Sequence, residues 1–188
     1  MNKLFAILAA SSTLAMPALA ADNYTIDPDF SMASFDIARV GFSSQSGRFN
    51  KTSGKVMLDL PAKTGSVDFT IFTKSIDMGS AAWTSHLSDP GLFNVKKFPT
   101  MNFKSDKLIF EGNKVVAAEG QFTMLGVTKP LKLTVSNFQC GVSPTDKRQV
   151  CSGNILADLK RSDFGLTKYI PAVSDEVRIS VSVDAYRN

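Results

Sequence analysis

The sequence is poor in the residues that build most catalytic sites. Its 188 residues include one histidine, His86, one tryptophan, Trp83, and two cysteines. A hydrolytic nucleophile needs a histidine base beside it, and a catalytic zinc ion needs several ligands at a characteristic spacing. The sequence contains no HxH, HxxE or HExxH pattern, no GxSxG turn and no glycine-rich phosphate loop. We therefore expect no metal ion, no resident cofactor and no catalytic residue.

Clusters of basic residues are also missing. The chain has 21 Lys and Arg against 17 Asp and Glu, a formal net charge of +4, and the lysines are spaced singly along the sequence. Nucleic-acid binding requires Lys and Arg concentrated on one surface. The charge pattern therefore predicts no nucleic-acid partner.

A continuous apolar run occurs only near the start of the chain, from Leu4 to Leu14. It follows a positively charged Met1–Lys3 and precedes Ala18–Leu19–Ala20, a pattern typical of a signal-peptidase site. The run is too short to span a bilayer. We predict a cleaved signal peptide at residues 1–20, a single domain at residues 21–188, and a periplasmic location.

Cysteines are scarce, and the two present lie eleven positions apart at Cys140 and Cys151. In an exported protein such a pair favours a disulfide, and the intervening GVSPTDKRQV suits a hairpin loop. Two free buried thiols are the alternative. Ligands for a structural zinc are missing at the required spacing.

Most of the chain alternates apolar and polar residues with the period of a β-strand. The clearest case is the last strand, with Val177, Ile179, Val181 and Val183 on one face. Short strands of this kind recur at hairpin spacing, with a bend expected at 41–47 and a turn at 126–130. The pattern predicts an all-β fold, an eight-stranded antiparallel lipocalin-like β-barrel with one short helical insertion at about residues 80–88.

The stretch from Asp77 to Thr100 lacks the strand period and contains both Trp83 and His86. We predict that it forms the lid or mouth of an apolar cavity. Fourteen Phe against three Tyr indicate a dry interior, either a packed core or a cavity. Small residues on the strand at 114–124, Ala118 and Gly120, favour a cavity.

Four stretches of the sequence resemble the YceI-like family. They are TIDPDFSMASFDIARVGFSSQSGRFNKTSGKVMLD, SIDMGSAAWTSHLSDPGLFNVKKFPTMNFKS, GQFTMLGVTKPLKL and RSDFGL with SDEVRISVSVDA. The resemblance runs from about Tyr24 to Ala185. Relatives often carry histidine at two positions that Phe30 and Arg39 occupy in this chain, so that any headgroup contact made there is altered.

The resemblance implies a periplasmic, lipocalin-like barrel that binds polyisoprenoids or similar amphiphiles, including isoprenoid quinones, in an elongated pocket. It also implies a homodimer as the assembly, and a membrane redox or lipid-handling protein as the partner. The expected function is the binding, storage or transport of a hydrophobic small-molecule ligand, an isoprenoid-type lipid or quinone.

The candidate ligand-binding residues are the apolar residues on inward faces, the side chains of the insertion, and two polar residues for a headgroup. They are Phe35, Ile37, Phe69, Ile71, Trp83, His86, Leu87, Phe93, Met101, Phe103, Phe122 and Arg161. Arg161 and His86 are the candidate headgroup contacts.

Two other interpretations of the sequence remain open. The first is an enzyme that acts on an amphiphilic lipid with His86 as general base. The second is a barrel integral to the outer membrane, which the polar outward faces of the predicted strands disfavour.

Overall fold

The computed structural model describes residues 21–188, so that the predicted signal peptide lies outside the described residues. The fold is all-β, as predicted. The helix is α1 (Ala81–Ser88), 3-10 turns occupy Thr73–Ser75 and Arg161–Phe164, and the strands are β1 (Asp22–Ile26), β2 (Ala33–Arg39), β3 (Gln45–Phe49), β4 (Thr52–Asp59), β5 (Thr64–Phe72), β6 (Ile76–Asp77), β7 (Thr100–Glu111), β8 (Lys114–Met124), β9 (Val127–Val142), β10 (Gln149–Lys160) and β11 (Val173–Arg187). Within residues 21–188, no helix has the length and apolar character needed to cross a bilayer.

The eleven strands form one closed antiparallel barrel. Strands β1 and β2 both pair with β11, while β1 pairs with β4 and β2 pairs with β3. Likewise β4 pairs with β5 and β3 with β6. Six segments thus make three interrupted barrel strands, which with β7 to β11 give the predicted eight. Closure leaves the barrel without the long free edges of an open sheet.

Buried hydroxyl groups satisfy the backbone where the first two barrel strands are interrupted. Ser31, between β1 and β2, is fully buried, and its hydroxyl oxygen accepts a hydrogen bond of 3.2 Å from the backbone N–H of Asp184. Thr52, at the start of β4, is 1% exposed and donates its hydroxyl hydrogen to the carbonyl of Ser31. Such bonds are needed because an unpaired buried polar group costs free energy.

The two ends of the barrel differ. The mouth end carries the turn at 40–44, the insertion at 78–99 and the loop at 161–172. The disulfide end carries the turns at 60–63, 112–113 and 143–148, together with the bond between Cys140 and Cys151, which lie opposite each other on β9 and β10 with Cα atoms 4.0 Å apart. The predicted disulfide is confirmed.

Both ends of the described chain lie at the disulfide end. The backbone N–H of Asn188 donates to the carbonyl of Asn23 at 2.9 Å. The hydroxyl of Thr25 donates to the side-chain oxygen of Asn188 at 2.7 Å. Strands β1 and β11 therefore meet at their outer ends, away from the mouth.

The structure corrects two predicted boundaries. The bend expected at 41–47 is wrong in its second half, because β3 already begins at Gln45. Gly47 lies within this strand. A Cβ at this position would collide with the ring of Phe35, so the close packing of the ring against the strand requires a glycine. The turn expected at 126–130 is wrong as well, since Leu125 and Gly126, with φ of 53° and 79°, complete a two-residue hairpin and leave residues 127–130 free to pair.

Candidate functional site

The barrel encloses a cavity of about 590 Å³ at the mouth end, which we call the upper cavity. Its walls are the inward faces of the strands, the inner side of α1 and the loop before β11. Alternation places Phe35 and Ile37 of β2 inside, together with Val177 and Ile179 of β11. The volume falls within the range of roughly 300–1,000 Å³ that is typical of small-molecule sites.

A second cavity of about 140 Å³, the lower cavity, lies toward the disulfide end. Ile71, Phe122 and Ile179 line both cavities and form a neck between them. Apolar side chains of β1, β4, β5 and β7 to β11 make nearly all of the lower wall, and Cys151 lines it as well. The two cavities therefore follow one another along the barrel, and both are lined mainly by apolar side chains.

The insertion completes the barrel wall where β6 leaves off. Phe93 is 9% exposed, and its ring meets that of Phe49 edge to face with centroids 5.5 Å apart. Phe35 completes the cluster, at 6.4 Å from Phe93 and 5.7 Å from Phe49. Three rings from β2, β3 and the insertion thus fix one side of the upper cavity.

Both ends of the insertion are anchored by hydrogen bonds. At its start, the carboxylate of Asp77 accepts bonds from the backbone N–H of Gly79 at 2.8 Å and from the guanidinium of Arg48 at 2.8 Å. These bonds, the first the larger, lower the pKa of Asp77. At its end, the buried hydroxyl of Thr73 donates to the carbonyl of Phe98 at 2.6 Å.

Helix α1 lies across the mouth and has no fully buried residue. It ends at Ser88 as predicted, since the residue before Pro90 avoids the α conformation. Trp83 and His86 line the upper cavity on its inner side. His86 Nε2 lies 3.1 Å from the hydroxyl of Tyr169, so that a hydrogen bond links α1 to the loop at 161–172.

The polar side chains that line the upper cavity lie near its mouth and include no carboxylate. Arg39 and Gln45 end the inward faces of β2 and β3, and Lys168 and Tyr169 come from the loop at 161–172. Of residues 21–188, no Asp or Glu lines this cavity, and neither Arg39 nor Lys168 forms an ion pair. The mouth is therefore polar and positively charged above an apolar interior.

Arg161 lines the upper cavity but is 3% exposed. Its guanidinium donates four hydrogen bonds of 2.7–3.0 Å to backbone carbonyls, those of Leu166 and Lys168 in the loop and those of Val173 and Ser174 at the start of β11. Burial lowers the pKa of Arg161, and the nearby carboxylate of Asp175 opposes that effect. The side chain thus holds the loop in shape, and four of its five N–H groups are already engaged.

All twelve candidate ligand-binding residues line the interior. Ten line the upper cavity, namely Phe35, Ile37, Ile71, Trp83, His86, Leu87, Phe93, Met101, Phe122 and Arg161. The other two, Phe69 and Phe103, line the lower cavity. Whether these side chains contact a ligand stays a prediction.

Several residues that line the upper cavity were not predicted from the sequence. Gln45 lay in the stretch expected to bend, and Lys168 and Tyr169 lie in a loop without periodicity. Arg39 could have been found, because it continues the period of two from Phe35 and Ile37. The interpretation of Gly120 as open space is wrong, since a Cβ there would collide with the backbone oxygen of Lys104; Ala118 does line the lower cavity.

The two positions at which the sequence is expected to differ from its relatives lie in different surroundings. Phe30 is 63% exposed between β1 and β2 and lines neither cavity. Arg39 lines the upper cavity at its mouth. Of these two positions, only Arg39 belongs to the wall of the site.

The fold and the cavities define a small antiparallel barrel of lipocalin-like shape with an apolar interior. The sequence profile of the YceI-like domain matches residues 24–185, nearly all of the described chain. The protein therefore belongs to the YceI-like family. The UPF0312 protein of Shewanella baltica is 31% identical over 190 residues, which cover 99% of this chain and 98% of that protein.

Solved structures share the fold. BcnA of Burkholderia cenocepacia has a TM-score of 0.68 and 25% identity, covering 85% of this chain and 98% of its own. A polyisoprenoid binding domain from Saccharophagus degradans has a TM-score of 0.64 and 15% identity, covering 88% of this chain and 98% of its own. At 15% identity the likeness concerns the fold alone.

Proposed function

We propose that the protein binds, stores or carries a long-chain isoprenoid-type lipid, a polyprenyl compound or an isoprenoid quinone. The observation that carries the proposal is the apolar interior of about 590 Å³, continued by about 140 Å³ beyond a neck. Such a space suits a hydrocarbon chain better than a compact polar metabolite. The shared fold with the polyisoprenoid binding domain from Saccharophagus degradans supports the same ligand class.

Burial of the chain supplies the affinity. Each methylene removed from water contributes about 0.8 kcal/mol, so a chain of about fifteen carbons contributes roughly 12 kcal/mol. Association and ordering cost about 4–15 kcal/mol. Short prenyl chains are therefore marginal ligands, and we expect affinity to rise with chain length until both cavities are filled.

The polar end of the ligand lies at the mouth in this proposal. Arg39 and Lys168 would bind a phosphate, whereas Gln45 and Tyr169 would donate hydrogen bonds to a quinone carbonyl. Either headgroup leaves the tail pointing toward the neck. We assign no headgroup contact to Arg161, because its donors already serve the loop.

We also propose that the protein works in the periplasm. The N-terminal sequence has the pattern of a secretory signal. The disulfide between Cys140 and Cys151 fits an oxidising compartment. The partners would be membrane proteins that load or receive the lipid.

Binding without chemistry is the better account of His86. A lipid-modifying enzyme would be favoured by the arrangement of Tyr169 and Asp89 on either side of His86, since a carboxylate beside a histidine can orient it as a general base. However, His86 Nδ1 lies 3.7 Å from the Asp89 carboxylate, which is longer than the hydrogen bond that orients a histidine base. We propose that His86 fixes the position of α1 through Tyr169.

The decisive experiment is to release the protein from the periplasm, record a native mass spectrum and identify the extracted lipid. We expect a mass excess that corresponds to a prenyl lipid or quinone, and saturable binding of the same compound to delipidated protein. The variant His86→Ala should retain the lipid. Absence of any bound amphiphile, together with no binding of prenyl alcohols, prenyl phosphates or quinones, would overturn the proposal.

A further inference from the structure

Exposed apolar side chains are concentrated around the mouth. Among residues 21–188, ten large hydrophobic residues are exposed to solvent. Five of these lie on the three segments that surround the opening of the upper cavity, namely Val40, Phe42, Trp83, Tyr169 and Ile170. Their exposed fractions range from 38% to 73%. We call these five residues the rim.

Backbone and side-chain bonds hold the three rim segments side by side. The N–H of Val40 donates to the carbonyl of Ala172 at 3.1 Å, which joins the turn at 40–44 to the loop at 161–172. His86 and Tyr169 join that loop to α1 at 3.1 Å. The rim is therefore a fixed surface around one opening.

Two cations that line the upper cavity at its mouth, Arg39 and Lys168, each lie over an aromatic ring of the rim. The guanidinium carbon of Arg39 lies 5.1 Å from the ring centroid of Phe42. The ammonium of Lys168 lies 5.0 Å from the ring centroid of Tyr169. Aromatic rings beside Lys and Arg are typical of surfaces that sit at the boundary between lipid and water.

We propose that the rim docks on the surface of an anionic phospholipid bilayer, with Val40, Phe42 and Trp83 entering the interfacial region and Arg39 and Lys168 lying among the headgroups. Docking in this orientation opens the upper cavity directly onto the bilayer. A lipid can then pass between membrane and cavity without crossing water. The inference goes beyond ligand binding and does not depend on which lipid the cavity holds.

The chemistry of the rim favours a bilayer over a second copy of the chain. Two copies joined by their rims would bring Arg39 and Lys168 of one close to the same cations of the other, and within residues 21–188 no carboxylate lines the cavity beside these cations; the carboxylate of Asp89 lies beside His86 instead. Anionic headgroups would neutralise them instead. Val40 and Phe42 also project from a turn, which suits insertion between headgroups.

The test is co-sedimentation of the delipidated full chain with vesicles of phosphatidylethanolamine and phosphatidylglycerol, and with vesicles of phosphatidylcholine alone. The double variant V40S/F42S removes rim residues that line neither cavity. Its matched control is F30S/V142S, which replaces the same residue types at 63% and 56% exposure away from the mouth. Retained binding of a fluorescent prenyl probe shows that each variant is folded and its cavity intact.

We expect wild type and F30S/V142S to sediment with the phosphatidylglycerol vesicles, and V40S/F42S to bind them roughly tenfold more weakly. Binding should also weaken as salt is raised, and vesicles with brominated acyl chains should quench Trp83, the only tryptophan. Equal sedimentation of the two double variants would overturn the proposal. So would a wild-type dimer in solution that V40S/F42S abolishes, without any vesicle binding.

Discussion

The hydroxyl of Tyr169 lies 3.1 Å from Nε2 of His86 across the mouth of the upper cavity. These residues are 83 positions apart in the chain, and their rings are 5.9 Å apart between centroids. The bond is the direct link between α1 and the loop at 161–172. Since α1 has no fully buried residue, this link bears on how readily the mouth opens.

Tyr169→Phe removes that bond and keeps the ring. A single hydrogen bond contributes about 0.5–1.5 kcal/mol, so we expect a prenyl ligand to be released roughly two- to tenfold faster. Stopped-flow measurement with a dansyl-labelled prenyl probe reports this rate. Tyr186→Phe, on β11 at the disulfide end, is the matched control. Release that is equally fast in wild type and Tyr169→Phe would contradict the role given to the bond.

Arg161→Lys tests the anchoring of the loop at 161–172. Lysine cannot reproduce the planar set of N–H groups that donates to four carbonyls. We therefore expect the free energy of unfolding to fall by about 3 kcal/mol. Arg178→Lys on the outer wall, where Arg178 forms an exposed ion pair with Asp158, should cost far less. Urea denaturation measures both. Similar losses for the two variants would refute the anchoring role.

Ala157→Leu tests whether the lower cavity holds the end of the tail. Ala157 is 6% exposed and lines that cavity, so a larger side chain fills space that a long chain would occupy. We expect the free energy of unfolding to change by no more than about 1–3 kcal/mol, so that the variant still folds. The longest prenyl chains should bind the variant roughly tenfold more weakly than wild type for every two methylenes displaced. Short chains should bind both proteins equally well. A titration series of chain lengths measures this.

The control for that series is Ala38→Leu, at an exposed position on the outer face of β2. It adds the same atoms outside the barrel and should leave every affinity unchanged. If Ala157→Leu weakens short and long chains equally, the lower cavity is not where the tail ends.

Acid should weaken the anchor at the start of the insertion. Because its hydrogen bonds lower the pKa of Asp77 from 3.8, the ionised carboxylate stabilises the fold above the unfolded-state pKa. This contribution is lost as pH falls through the lower, folded-state pKa. We expect wild type to be more stable than Asp77→Asn at neutral pH, and the two to converge in acid once Asp77 is protonated in the folded protein. Urea unfolding from neutral to acid pH, followed by Trp83 fluorescence, measures the stability of both proteins. A stability difference that stays constant across this pH range would contradict the role given to the Asp77 carboxylate.

Local patterns were sufficient to predict the barrel. The alternation of Val177, Ile179, Val181 and Val183 faces inward as expected, because a closed barrel gives every strand one dry side. The interruptions of the first three barrel strands could not be predicted. They depend on Ser31 and on contacts between residues far apart in sequence.

The candidate site was predictable where it follows strand periodicity. The aromatic and aliphatic residues on inward faces line the cavities, whereas Gln45, Lys168 and Tyr169 do not follow from any local pattern. Arg161 shows the limit of reasoning from residue type. A charged residue in a polar loop was expected to meet a headgroup, but only the fold reveals that neighbouring carbonyls take up four of its donors.

The meeting of β1 and β11 at the disulfide end has a practical consequence. A tag, a fluorescent domain or a surface tether fused after Asn188 would sit at the opposite end of the barrel from Trp83 and the mouth. A molecule attached to a chip in this way would present its opening to the solution. The fold thus lends itself to oriented immobilisation, with ligand exchange and vesicle contact left unobstructed.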